Sequence, residues 1–425
     1  MRLFLSALEP SANIHAREVV RELLTLLESK LDSKATLEIV GVFDPSLLAE
    51  LHQGAIKLAP HYHPRDFSIM GFSDVAVKLP FLWRAQRELA AVALEADVIV
   101  LMDSSSFHIR LSKRIRAMQS PNKRAKIYYY ILPQLWAWKS YRAKILERYC
   151  DRLLGILPFE AEYYSKQARE SGQLVYVGHP LLDELESSLL DSRAKAKATP
   201  TSSQSLKPCI IFMPGSRRGE IRRIFPTFYA VAKQLPNAKK LLVIPSTFAQ
   251  DSSDMAHLQA IYESDPSTKG ALQDFALCFE TRSALMQADF AFICSGTATL
   301  EAALLGTPFV LGYKAAWLDY AIARCFVHLR YIGLANIFYN ALCGEKPGCG
   351  SSAIHQELVQ GSMSVENLLR AYRQHHAQDF TKNAYKLRAY LKHGSARNVA
   401  ARLFEHLAEN LYLHNNPYPK PCAHL

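Results

Sequence analysis

No stretch of this 425-residue chain approaches the ~18–20 uninterrupted apolar residues that cross a bilayer; the longest are pieces such as VIVLM, stopped by Asp103. A spanning helix is not expected, although contact with a membrane surface stays open. The N-terminus reaches Glu9 and Pro10 after a very short apolar run with no small-residue cleavage site, so an export signal is not expected either. The eight cysteines, at positions 150, 209, 278, 294, 325, 343, 349 and 422, show no CxxC pairing. They read as reduced, mostly buried thiols of a cytoplasmic protein, with Cys343 and Cys349, either side of a Gly/Pro turn, as the one pair that could bridge. The GxxxxGK[ST] loop of ATP hydrolases is missing, as is any DxD-like acidic pair in a suitable loop, and His15, His63, His179 and His355 are not spaced as metal ligands. ATP hydrolysis is therefore disfavoured, and neither a metal nor another cofactor is expected. With 18 Gly and 21 Pro the chain is neither collagen-like nor of low complexity.

What is present is a globular composition. Hydrophobic residues make up 49% and charged residues 21%, in a length that suits two or three domains with sizeable cores. The 50 Lys and Arg against 39 Asp and Glu give +11, a field that attracts phosphates, anionic lipid head groups or nucleic acid. Short β-branched runs alternate with helical periodicity through RLFLSA, LEIVGVF, DVIVLMD, KIYYYIL, RLLGILP and LVYVG. A second series runs through PCIIFMPGS, KKLLVIPST, ALCFE, DFAFICSGT and PFVLGY. This alternation predicts βα units and parallel sheets. The expected fold class is α/β: two doubly wound, Rossmann-like domains, 1–187 and 208–360, with an interdomain cleft. A Ser/Ala/Lys/Thr-rich linker covers 188–207, and 361–425 reads as packing helices. In such folds ligands bind outside the carboxyl ends of the strands, where helix N-termini face anions, so function belongs in the strand-to-helix loops.

Six segments carry chemistry. SALEPSAN places Glu9 and Ser11 after the first strand with Asn13 able to cap the next helix, or is no more than a cap and a turn. VIVLMDSSSF delivers Asp103 to a strand end, where partial burial would raise its pKa towards that of a general base, unless it too is a cap. Around it, residues 67–87 mix Phe67, Ile69, Met70, Leu79 and Trp83 with Lys78, Arg84 and Arg87, as either core or a surface for acyl chains. ILPQLWAWKSYRAKIL sets Trp136 and Trp138 beside Lys139, Arg142 and Lys144, suited to sugar stacking and phosphate neutralisation or to simple packing. In the second half, Gly215, Ser216 and Arg217 open one helix, and Ser295, Gly296 and Thr297 open another with Glu301 one turn in. Amides, helix dipole and guanidinium suit a diphosphate, and a carboxylate there can accept both hydroxyls of a ribose.

The order of these motifs resembles the lipid A disaccharide synthase family along nearly the whole chain. The succession is Glu9-Pro-Ser-Ala-Asn13, Met70-Gly71, Asp103, Pro133 with Trp136-Ala-Trp138-Lys139, Leu157-Pro-Phe-Glu160, Gly178-His179, Pro214-Gly-Ser-Arg217, Ser295-Gly-Thr-Ala with Glu301, Gly312-Tyr-Lys314, and Asn336. The resemblance implies a GT-B architecture, an N-terminal acceptor half, a C-terminal half for the UDP-sugar, and C-terminal helices returning to the N-terminal domain. It implies an inverting, metal-independent glycosyltransferase that moves diacylglucosamine from UDP-diacylglucosamine to diacylglucosamine 1-phosphate. It also implies a homodimer, peripheral on the cytoplasmic face of the inner membrane. Carried over by position, Asp103 is the base with Glu9 as its alternative. Ser11, Asn13, Met70, Trp136, Lys139 and Arg142 contact the acceptor. Gly215, Ser216, Arg217, Ser295, Gly296, Thr297, Glu301 and Asn336 hold UDP. Two departures stand out: Ala12-Asn13 replaces the family's usual Gly-Asp, and Ser106-Phe107-His108 replaces an Asp-Phe-Asn. A UDP-sugar epimerase of the same architecture and a non-catalytic RNA- or lipid-binding protein are the rivals. Nucleic acid is not an expected partner, since no RNA-binding motif appears among the scattered basic residues.

Overall fold

A computed structural model describes residues 1–30, 36–51, 56–67, 72–120, 124–137, 139–185, 207–245, 255–294, 296–315 and 329–415. Met70, Trp138, Ser295, Cys325, Cys422 and nearly all of the expected linker lie outside these residues. The rest divides into two units, Met1–Asp183 with Leu391–Leu425, and Glu184–Tyr390.

The first unit is a seven-stranded parallel sheet made of β1 (Arg2–Ala7), β2 (Leu37–Val42), β3 (Ile56–Tyr62), β4 (Val98–Met102), β5 (Lys126–Tyr130), β6 (Arg152–Gly155) and β7 (Leu174–Tyr176). Their order across the sheet is β3-β2-β1-β4-β5-β6-β7. Strands covered on both faces need apolar residues at every position, and here successive side chains feed two cores. Leu3, Leu5, Val98, Val100, Tyr128 and Tyr130 pack on one face with the helices Pro10–Lys30 and Ser395–Asn415. Phe4, Ile99, Leu101, Ile127 and Tyr129 pack on the other with Leu89, Leu111 and Leu146. β3 went unforeseen because Pro60 and exposed polar residues mask its pattern; it is an edge strand, where Pro is tolerated.

The second unit holds a six-stranded parallel sheet of β8 (Cys209–Met213), β9 (Lys239–Val243), β10 (Ala276–Cys278), β11 (Phe290–Ile293), β12 (Phe309–Tyr313) and β13 (Glu357–Val359). Its order is β10-β9-β8-β11-β12-β13. One face is an aromatic core in which Phe212 stacks on Phe292 at 5.1 Å and the helix Arg218–Lys233 contributes Phe225 and Phe228. After the helix Leu334–Leu342 the chain makes an ordered turn about Glu345, which accepts from the Ser352 amide at 3.0 Å and the Ser351 hydroxyl at 3.0 Å. Cys343 and Cys349, on this turn, are not bridged to each other.

The C-terminal helices do not all return as expected. Val365–Arg373 and Ala377–Leu391 lie essentially within the second unit, where Leu368 and Leu369 join its aromatic core and Phe380 meets Phe309. Ser395–Asn415 lies with the first. Asp183 fixes the start of that helix by accepting the Gly394 and Ala396 amides at 2.6 and 2.8 Å.

Candidate functional site

Strand order reverses between β1 and β4 in the first sheet and between β8 and β11 in the second. Loops leaving such neighbours diverge and open a crevice, and these four loops carry most of the candidate residues.

In the first unit β1 gives way almost at once to the helix Pro10–Lys30, with Glu9 and Ser11 exposed at the junction. Asn13 is a correction. It is buried, donating to the Ala7 and Glu9 carbonyls at 2.8 and 2.9 Å and accepting from the Asp44 amide at 2.8 Å. Its amide staples the loop after β1 to the loop after β2, with both N–H donors spent on backbone carbonyls.

β4 delivers Asp103 and Ser104 into a turn where both have positive φ, 53° and 38°, before the helix Ser105–Met118 begins. For residues with a Cβ this costs about 1–3 kcal/mol each and persists only where the surroundings over-determine it. Here they do. The Asp103 amide donates to the Tyr130 carbonyl at 3.1 Å, and the Asp103 carbonyl accepts from His108 Nδ1 at 2.9 Å and from the Tyr129 hydroxyl at 2.6 Å. A carbonyl only accepts, so Nδ1 carries the imidazole proton, and Nε2 accepts from the Ser6 hydroxyl at 2.8 Å. Burial keeps His108 neutral, pushing its pKa down to about 4 against the pull of the Asp103 and Met102 carbonyls. Burial also raises the Asp103 carboxyl above its ordinary value, opposed by the Ser104 amide and by charge on His15. The Ser104 hydroxyl is 3.4 Å from Glu9 Oε1, and Arg142 Nη1 donates to Ser105 Oγ at 2.7 Å. Glu9, Asp103 and Arg142 therefore gather at the start of one helix. Lys139 is exposed nearby in sequence, but Trp136 is buried edge-on against Phe159, centroids 6.1 Å apart, and offers no open face to a sugar. That is a second correction.

In the second unit a cleft of about 310 Å³ opens at the carboxyl ends of β8, β9 and β11. Gly215, Ser216, Arg217, Gly296, Thr297 and Glu301 all line it, so the structure brings these six candidate residues to one opening. Gly215 has φ +121°, and a Cβ there would lie 2.9 Å from Glu220 Oε2; Gly296, at φ +89°, faces open space. The Arg217 side chain is 84% exposed, held only loosely by Glu220 at 3.7 Å, and so is free to meet an anion. Glu301 is 13% exposed, and its Oε1 accepts from Arg282 Nε at 2.8 Å. Arg282 also binds the Glu184 carboxylate and donates to the Glu184 carbonyl at 3.0 Å. Burial raises the Glu301 carboxyl and Arg282 opposes that rise. Arg282 and Glu184 escaped sequence reasoning because no spacing links them to Glu301; only the fold does.

Asn336 is the third correction. It is fully buried, donating to the His355 carbonyl at 3.0 Å and to Glu357 Oε1 at 2.9 Å while accepting the Ile354 amide at 2.9 Å. It joins the helix Leu334–Leu342 to the approach to β13 and does not line the cleft.

The family model described as Lipid-A-disaccharide synthetase matches residues 3–400. The chain is 45% identical over 405 residues to the lipid-A-disaccharide synthase of Helicobacter acinonychis (strain Sheeba), covering 94% of this chain and 97% of that one. To the lipid-A-disaccharide synthase of Campylobacter jejuni subsp. jejuni serotype O:2 it is 38% identical over 412 residues, covering 95% and 100%. Among solved structures, S. aureus MnaA with UDP aligns at TM-score 0.55 and 12% identity over 97% of this chain and 96% of that one. Arabidopsis thaliana UGT89C1 complexed with UDP aligns at 0.53 and 13% over 96% and 99%. Such low identities speak for the fold alone, which is GT-B.

Proposed function

The chain belongs to the lipid-A-disaccharide synthase family and is a glycosyltransferase, and we propose that it transfers 2,3-diacylglucosamine from UDP-2,3-diacylglucosamine to the 6-hydroxyl of 2,3-diacylglucosamine 1-phosphate. The products are the β-1,6-linked disaccharide 1-phosphate and UDP. The observation that carries this reading is the family match over residues 3–400.

The reaction is a single in-line displacement. Asp103 takes the proton of the acceptor hydroxyl as its oxygen bonds the anomeric carbon, and the bond to UDP breaks with its electron pair leaving on the diphosphate. A carboxylate lifted by burial is better matched to proton transfer near neutral pH than a solvated one. Glu9 orients the acceptor or is the alternative base, and Ser11, Lys139 and Arg142 serve the acceptor and its phosphate. Arg217 and the backbone amides of Gly215, Ser216, Ser295, Gly296 and Thr297 receive the diphosphate charge, and Glu301 holds the ribose. Such donors stabilise charge as it develops on the leaving group.

Diacylated substrates require access to lipid. Among the described residues no helix is long and apolar enough to cross a membrane. Leu79 and Trp83 are 41% and 66% exposed, and Arg84 lies over the Phe81 ring on the same helix. Exposed aromatic and basic groups suit the head-group region, which supports peripheral attachment at the cytoplasmic face of the inner membrane. A homodimer completes the reading.

Purified protein supplied with both diacylated substrates should yield the disaccharide 1-phosphate, detected by chromatography, with UDP in equal amount. UDP released from the donor without acceptor, or no disaccharide with both, would overturn the reading; the first outcome would point to an epimerase.

A further inference from the structure

Two consecutive non-glycine residues in the left-handed region are rare, and Asp103 and Ser104 sit there at the end of β4. The groups that pin them are drawn from two strands and one helix: Ser6 in β1, Tyr129 and the Tyr130 carbonyl in β5, and His108 one turn into the helix after Asp103. Tyr129 and His108 are completely buried, and both imidazole nitrogens are spent, one on the Asp103 carbonyl and one on Ser6. Two side-chain donors on one carbonyl are more than a turn needs to form. They fix the peptide plane, and with it the direction of the Asp103 Cα–Cβ bond.

We infer that Ser6, His108 and Tyr129 form a positioning device for Asp103, holding the turn so that its carboxylate is aimed at the acceptor hydroxyl. The inference rests on the reading of Asp103 as the base. All three are buried; His108 and Tyr129 act through the backbone of the turn, and Ser6 acts through His108. Ser6 adds a link between the strand leading to Glu9 and the strand leading to Asp103, so the two acidic loops are braced against one another.

The test uses the full chain with Tyr129→Phe, which deletes one hydroxyl, and His108→Asn, which shortens the donor and drops Ser6. A reacting group displaced by about 1 Å can cost up to ~10²-fold in rate, so each variant should lower kcat ~10- to 100-fold with KM for the donor and UDP affinity unchanged. The acid limb of the pH–rate profile should also move to lower pH, because a loosened turn lets water reach the carboxylate. The charged groups around it, His15, Glu9 through Ser104 and Arg142 through Ser105, stay in place in both variants. Wild-type kcat in Tyr129→Phe overturns the inference, as does a loss of kcat matched by equal losses in UDP affinity and melting temperature. If His108→Asn does not fold, Tyr129→Phe decides alone. Asp103→Asn separates the two levels. If that variant turns over normally, the base reading and the inference fall together; if it is inactive while Tyr129→Phe is normal, the inference alone falls.

Discussion

Arg282 stands between two carboxylates that are almost out of water: the Glu184 side chain is 6% and that of Glu301 13% exposed, while the Arg282 side chain is 36% exposed. Arg282→Ala takes from both acids the guanidinium they share. Removing one partner of a buried pair costs about 3–5 kcal/mol, and solvent access to Arg282 screens part of that, so the expected loss is about 2–3 kcal/mol. In a unit of this size that lowers the melting temperature by roughly 4–10 °C. The pH dependence is a sharper check. Burial already holds the Glu301 carboxyl above its ordinary 4.5, with Arg282 opposing. Without the guanidinium it rises further, so the native protein keeps a proton that the unfolded chain has released. Stability then falls as pH rises from 4.5 through the raised native value, and the deficit against wild type is full above that window and narrows below it. Thermal melts by circular dichroism at about pH 8 and at about pH 4.5, the foot of this window, compare the two regimes, and Arg282→Ala/Glu301→Gln should recover part of the loss at the higher pH. An unchanged melting temperature, or a deficit equal at both pH values, would refute the argument.

Three further outcomes are expected. Asp103→Asn should lower kcat by about 10² or more while calorimetric UDP affinity is retained. Gly215→Ala, whose Cβ crowds the Glu220 side chain in addition to the backbone strain of its positive φ, should weaken UDP binding more than Gly296→Ala, which meets open space and only a strain of about 1–3 kcal/mol; titration of both variants compares the two. Asn336→Ala should destabilise the protein by about 2 kcal/mol through the buried Ile354 amide and His355 carbonyl it leaves unpaired, with UDP affinity unchanged in the folded fraction, measured by melting and calorimetry.

Much of the architecture was legible because strands buried on both faces are close to continuously apolar, as VIVLM and CIIFM are throughout and RLFLSA is from Leu3 to Leu5. β3 and β13 were not, since an edge strand is free to carry Pro60 or to shrink to Glu357–Val359. The loops were legible where backbone geometry demands a residue type, as at Gly215 and Gly296. Side-chain amides were harder. Asn13 and Asn336 lie in the motif order like ligand contacts, yet a buried amide that ties two loops has the same sequence signature as one that touches substrate. Trp136 failed for the same reason, an aromatic ring being equally at home in a core. His108 was visible as a departure from the resembled pattern, but its purpose depends on Ser6, far away in sequence.

Because Leu391–Leu425 belongs with Met1–Asp183, the body that carries Asp103 is written in two instalments. On the ribosome, its sheet must wait for the whole of Glu184–Tyr390 before Val399, Leu403 and Leu407 arrive to cover one apolar face. The body Glu184–Tyr390 can fold during that interval, while the nascent Met1–Asp183 body keeps that apolar face uncovered.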